Sequence, residues 1–177
     1  YCAKKLKTSI GLPTDDEDTE IAELSGKYHT GEMDEYTDTY HSIVMAKLAE
    51  ARKRTSDTML LVEVRLDFSR WVPEAFGTAD AVIIADGTME IVDFKYGKGV
   101  KVSAEGNPQM MIYAIGAYEE FSLEYDIRDI RMTIVQPRID NLSEATISVT
   151  ELMRWANDTL LPRAEEAYKG GGKREPG

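Results

Sequence analysis

Two aspartates, a lysine, a glutamine and a tyrosine stand at a spacing that invites chemistry. Asp80 is followed after twelve residues by Asp93-Phe94-Lys95, and after thirteen more by Gln109 and Tyr113. Between the aspartates lies Asp86-Gly87, flanked by apolar runs, the strongest short-range signal for a hairpin. A two-residue loop there pairs Ala85 with Thr88, so paired numbers sum to 173 and Asp80 falls directly across from Asp93. Cross-strand partners have Cβ atoms ~4.5–5.5 Å apart, and like charges so placed are destabilising. A divalent cation held by oxygen ligands would neutralise them. Asp93 and Lys95 share a strand face while Val92 and Phe94 turn to the other, and Gln109 and Tyr113 share a helix face. The plainer alternative is a surface ion pair between Asp93 and Lys95, with Asp80 closing a strand.

The elements that must position these groups are legible in the hydrophobic spacing. Met33, Tyr36, Tyr40, Ile43, Val44 and Leu48 recur at helical intervals between Glu32 and Arg54, with acids at the start and bases at the end. From Met59 to Phe68 the period becomes two, with Leu60, Val62, Val64 and Leu66 on one face and Leu61, Glu63, Arg65 and Asp67 on the other. Strands over 78–85 and 88–96 form the hairpin. A glycine-rich loop (Gly97, Gly99, Gly106) leads to Asn107, a good N-cap, with Pro108 at the first helical position. Strands over 131–136 and 145–149 and a helix over 151–168 complete the order α-β-β-β-α-β-β-α.

Composition bounds the rest. The chain has 177 residues, 42% of them hydrophobic and 30% charged, enough for one core and against wholesale disorder. Its net charge of −11 argues against coating nucleic acid through bulk electrostatics. One cysteine, Cys2, precludes an internal disulfide framework. No apolar run approaches the ~20 residues of a membrane span, and a cytoplasmic, membrane-free protein is expected. Residues 1–31 read as a helix end with an acidic loop, 32–168 as a single domain and 169–177 as a flexible tail, and both ends look cut from a longer protein. The acidic run Asp15, Asp16, Glu17, Asp18, Glu20, Glu23 reads as a solvated segment, and His29 and His41 as surface or packing residues.

Taken together, Gly77-Thr78-Ala79-Asp80, Ile91-Val92-Asp93-Phe94-Lys95 and Gln109-Met110-Met111-Ile112-Tyr113 resemble the PD-(D/E)XK nuclease superfamily, in its RecB-like branch of phage and prophage exonucleases. These motifs span 37 residues, and the order of elements over about 32–136 also resembles that group. The resemblance implies an α/β, restriction-endonuclease-like αβββαβ core with a mixed central sheet flanked by helices. It implies Asp80 and Asp93 as metal ligands, the Phe94 carbonyl as a third, and Lys95 as the group that positions or activates the attacking water. Gln109 and Tyr113 match a motif that steadies the site and contacts DNA. Glu63 matches an acidic position before the first motif, although a surface role is about equally favoured.

The activity so implied is divalent-metal-dependent hydrolysis of DNA phosphodiesters, as an exonuclease, with a phage recombination protein as a partner. Oxygen ligands without a Cys/His set favour magnesium or manganese over zinc. Lys98 and Lys101 would meet phosphates from the glycine-rich loop, unless they merely solvate it. The alternative is a non-catalytic nucleic-acid-binding or assembly module that keeps the fold. Relatives also carry a histidine or glutamate on a preceding helix, expected here upstream of Tyr1. Some hold an iron–sulfur cluster, which this chain could share only as part of a longer protein.

Overall fold

The hairpin sets the frame for everything around it. In the computed structural model, which describes residues 1–14, 18–19, 21–22 and 29–170, strand β2 (Phe76–Ala85) turns through Asp86 into β3 (Gly87–Phe94). Ala85 pairs with Thr88 as expected. Only Gly87 of the turn has positive φ, at 75°. A type I′ turn, which needs two such residues, is therefore not the one used.

Strand β1 (Met59–Asp67) pairs antiparallel with β2. After β3 the chain crosses through helix α3 (Pro108–Phe121) to β4 (Ile127–Gln136), which lies parallel to β3. Strand β5 (Asn141–Ser148) returns antiparallel at the edge, giving the order β1-β2-β3-β4-β5. This mixed five-stranded sheet flanked by helices is an α/β fold, and it agrees with a restriction-endonuclease-like core.

Each face of the sheet has its own core. Helix α1 (Cys2–Ile10) and helix α2 (Gly31–Arg54) cover one face with Leu6, Tyr40, Val44 and Leu48, all fully buried. Helix α3 covers the other with Met110, Ala114 and Ile115, joined by Leu152 of α4 (Val149–Trp155). Asn107 caps α3 by accepting the Met110 N–H, which removes one of the orphan donors of the first turn.

Two expectations need correction. The final helix is not uniform: α4 passes through a π turn at Ala156–Leu160 into α5 (Leu161–Tyr168). Pro162 has no N–H to continue the α ladder, so the register of hydrogen bonds changes there. Strand β1 does not keep one face either. Leu60 and Val62 pack in the α1/α2 core, whereas Val64 and Leu66 pack beneath α3.

Tyr36 and Tyr40 serve packing, Tyr40 with its hydroxyl donating to the Val92 carbonyl at 3.1 Å. His29 pairs with Asp34 and His41 with Ser9. Among the described residues no helix is long and apolar enough to cross a membrane. Tyr28, the tail 171–177 and, from the acidic run, Asp15, Asp16, Glu17, Glu20 and Glu23 lie outside the described residues.

Candidate functional site

The change of face in β1 occurs at Glu63, whose φ is 52°. Left-handed backbone is unfavourable for a residue with a Cβ, by about 1–2 kcal/mol. The β1–β2 register nonetheless continues unshifted, from Val62 beside Ala81 to Val64 beside Ala79. Strand β2 turns over at the same level, since Ala79 joins the α3 core and Ala81 the opposite one. Asp80 sits at that changeover, and Glu63 stands across from it in register.

The pairing of β2 with β3 ends just before Asp80. It runs from Ala85 beside Thr88 to Ala81 beside Val92 and stops. Asp80 and Asp93 are therefore not a ladder pair, as the simple register predicted. Instead, the Asp80 carboxylate accepts the Phe94 N–H at 2.7 Å, taking the place of a main-chain acceptor. The two acids still feel one another. Burial, foremost, and then the charges of Asp93 and Glu63 push the Asp80 carboxyl up to about 6, while the Phe94 N–H and Lys95 pull the other way.

Asp93 is 5% exposed, and its Oδ2 is fully buried. The Lys95 ammonium lies 2.9 Å from that oxygen. It also donates to Gln109 Oε1 at 2.9 Å, and the Gln109 amide donates to the Tyr113 hydroxyl at 3.1 Å. Asp93, Lys95, Gln109 and Tyr113 thus form one connected line from the end of β3 to the first turns of α3, beside Asp80.

Glu63 is not drawn into this line. Its carboxylate lies 3.8 Å from Lys7 and is half exposed. Among the described residues, no three His, Cys, Asp or Glu side chains group so as to hold a metal ion. What remains for a cation is the pair of carboxylates, Asp80 and Asp93. Cys2 is a poor candidate ligand, because burial pushes its thiol up to about 12 and only the thiolate binds metal.

Sequence reasoning quoted Gly77 without a role for it, and the structure supplies one. A Cβ on Gly77 would lie 2.7 Å from Cε1 of Tyr113 and 3.3 Å from the Phe68 ring. The missing side chain is what lets the Tyr113 ring lie against β2. Gly116 does the same for the helix as a whole, since a Cβ there would come within 3.0 Å of Leu66. The signal for Gly77 lay in the first motif itself, but its partner was 36 residues away.

The loop carrying Lys98 and Lys101 is anchored by residues that the sequence did not single out. Buried Gln136 accepts the Val102 N–H at 2.7 Å and donates to the Val100 carbonyl. Asn141 donates to the Val102 carbonyl, and Ser143 accepts the Ala104 N–H. Both lysines remain exposed on this loop, between β3 and α3.

Comparisons with known proteins add a family and two distant structures. The family described as "Protein of unknown function (DUF2800)" matches residues 1–177. One similar solved structure is SSO0001, at 16% identity and a TM-score of 0.36, covering 92% of this chain and 72% of that one. Another is a "Putative exonuclease" from Eubacterium rectale, at 11% identity and a TM-score of 0.40, covering 98% of this chain and 70% of that one. The chain belongs to the DUF2800 family.

Proposed function

We propose that this chain is the core of a divalent-metal-dependent nuclease of the PD-(D/E)XK type, in the RecB-like phage exonuclease branch, hydrolysing DNA phosphodiesters. One observation carries the reading: the buried Asp93 carboxylate, paired with a Lys95 ammonium that it shares with Gln109, stands beside half-buried Asp80, with Tyr113 next in line. Buried charges are kept paired, so two carboxylates side by side, with the Lys95 ammonium shared between Asp93 and Gln109, mark a place short of positive charge.

Asp80 and Asp93 fit magnesium or manganese, which bind through one or two carboxylates and take waters and substrate phosphates for the rest. The Phe94 carbonyl is the third donor in this reading, and Glu63 could join only by leaving Lys7. Such an ion, when bound, supplies charge for the phosphoryl oxygens and makes a bound water more acidic.

The side chains do the positioning. An ammonium has three donors; Lys95 directs one toward Asp93 and gives one to Gln109. The third is left for an attacking water or a phosphoryl oxygen. Tyr113 accepts from Gln109, which leaves its own proton to donate to a DNA phosphate. Lys98 and Lys101 meet more distant phosphates.

The test is calorimetric titration of manganese into the chain and its Asp93→Ala variant, followed by cleavage assays on linear and circular DNA. Binding lost in the variant, with manganese-dependent cutting from linear ends, is the expected result. Cleavage that persists in chelator, or metal-dependent cleavage retained by Asp93→Ala, sinks the assignment. Metal binding with no cleavage would favour the non-catalytic module.

A further inference from the structure

Tyr96 lies just past the end of β3, with its ring centroid 6.1 Å from those of Phe94 and Tyr36. Arg138, in the short turn after β4, lays its guanidinium over the Tyr96 ring at 4.7 Å. Strands β3 and β4 are parallel, with Phe94 beside Val135. They therefore deliver Tyr96 and Arg138 to the same end of the sheet as Asp93 and Lys95. In open α/β sheets, ligands bind beyond that end of the parallel strands.

Arg138 is braced but unfinished. Its Nε is buried with no hydrogen-bond partner. Its Nη2 reaches Glu32 only at 3.6 Å, and the side chain keeps 21% exposure. A guanidinium held over an aromatic ring with donors left over suits a charge-assisted contact with a phosphate. A residue kept only to pair with Glu32 would gain more from a closer contact.

We propose that Arg138, braced on Tyr96, is a second phosphate subsite, gripping a backbone phosphate of the nucleic-acid strand other than the one cleaved. This rests on the nuclease reading above. The two subsites would flank the end of β3, with Lys95 on the α3 side and Tyr96 on the α2 side.

The experiment uses the whole chain and a fluorescently labelled single-stranded oligodeoxynucleotide, with anisotropy read in calcium over a range of salt and cleavage read in manganese. Arg138→Ala should bind roughly tenfold more weakly, and its salt slope should fall by about 1. Arg138→Lys should keep the slope and lose part of the affinity. Glu32→Gln should bind more tightly than wild type, by more than Glu35→Gln, which removes the same charge elsewhere on α2. That gain cannot be produced by misfolding, so it protects the test if Arg138→Ala proves unstable.

Unchanged affinity and slope in Arg138→Ala, or equal effects of the two glutamate variants, would overturn the subsite. If wild type cleaves while these variants behave so, Arg138 alone is wrong. If wild type neither binds nor cleaves, the nuclease reading fails and this proposal with it.

Discussion

Glu90 and Asp93 are both buried acids on β3, three residues apart and facing opposite cores. Glu90 is fully accommodated. Lys47 of α2 lies against it and is also held by Glu144, while the Thr133 hydroxyl donates to it at 3.0 Å. Burial would push the Lys47 ammonium down, but its two carboxylates outweigh that and raise it. Asp93, by contrast, shares the Lys95 ammonium with Gln109 and stands beside Asp80, a second, half-buried acid. A buried acid whose partners are complete is part of the frame. One whose partners are incomplete is where a ligand would complete them.

The largest effect should come from breaking the complete cluster. Lys47→Ala leaves Glu90 uncompensated, and truncating one member of a buried pair costs about 3–5 kcal/mol. Chemical denaturation should show that loss, with manganese binding preserved wherever the variant remains folded.

The same truncation at the other cluster should behave in the opposite way. Lys95→Ala is expected to lower cleavage by about 10²–10⁴, the usual range for a positioned proton-transfer group. Its melting temperature in manganese should change little, since the ion takes over the charge on buried Asp93 that Lys95 leaves behind, whereas nothing replaces Lys47 beside Glu90. A collapse in stability comparable to Lys47→Ala would mean that both clusters are structural.

Asp80 gives the comparison a pH signature. Its carboxyl is raised from 3.8 to about 6, so the folded state holds this proton more tightly than the unfolded chain. The resulting cost is fully present above the folded value and absent below the unfolded one. Without metal, stability should therefore gain up to about 3 kcal/mol from this group as pH falls from 7 to 4, at ~1.36 kcal/mol per pKa unit. Asp80→Asn should lose that gain. Manganese affinity should run the other way and weaken as pH drops through about 6, because the proton and the ion compete for one carboxylate.

The smallest effects sharpen the geometry. Gly77→Ala should cost about 1–3 kcal/mol, as overpacking does, because its Cβ meets the Tyr113 ring. Tyr113→Phe should leave stability within about 1 kcal/mol and reduce DNA affinity, since the half-buried ring stays and only the hydroxyl bonded to Gln109 is removed. If Gly77→Ala impairs DNA binding to the same degree as Tyr113→Phe, the glycine acts by placing that hydroxyl.

What the sequence determined by itself was everything that depends on neighbours along the chain. Period two located β1 to β3, and Asp86-Gly87 set the register from Ala85 to Ala81. Asn107-Pro108 opened α3, and spacing of two and four put Asp93 with Lys95 and Gln109 with Tyr113. These follow from local backbone geometry, which residue type and spacing control directly. What the tertiary structure decided was where those periods fail. Alternation reverses at Glu63, and the ladder stops at Asp80 because its side chain takes the Phe94 N–H. Gly77 is small for a tyrosine on a distant helix, and Glu90 is buried because Lys47 and Thr133 arrive from elsewhere. Each is a contact between residues far apart in the chain, and no periodicity carries information about which partner will fill the space.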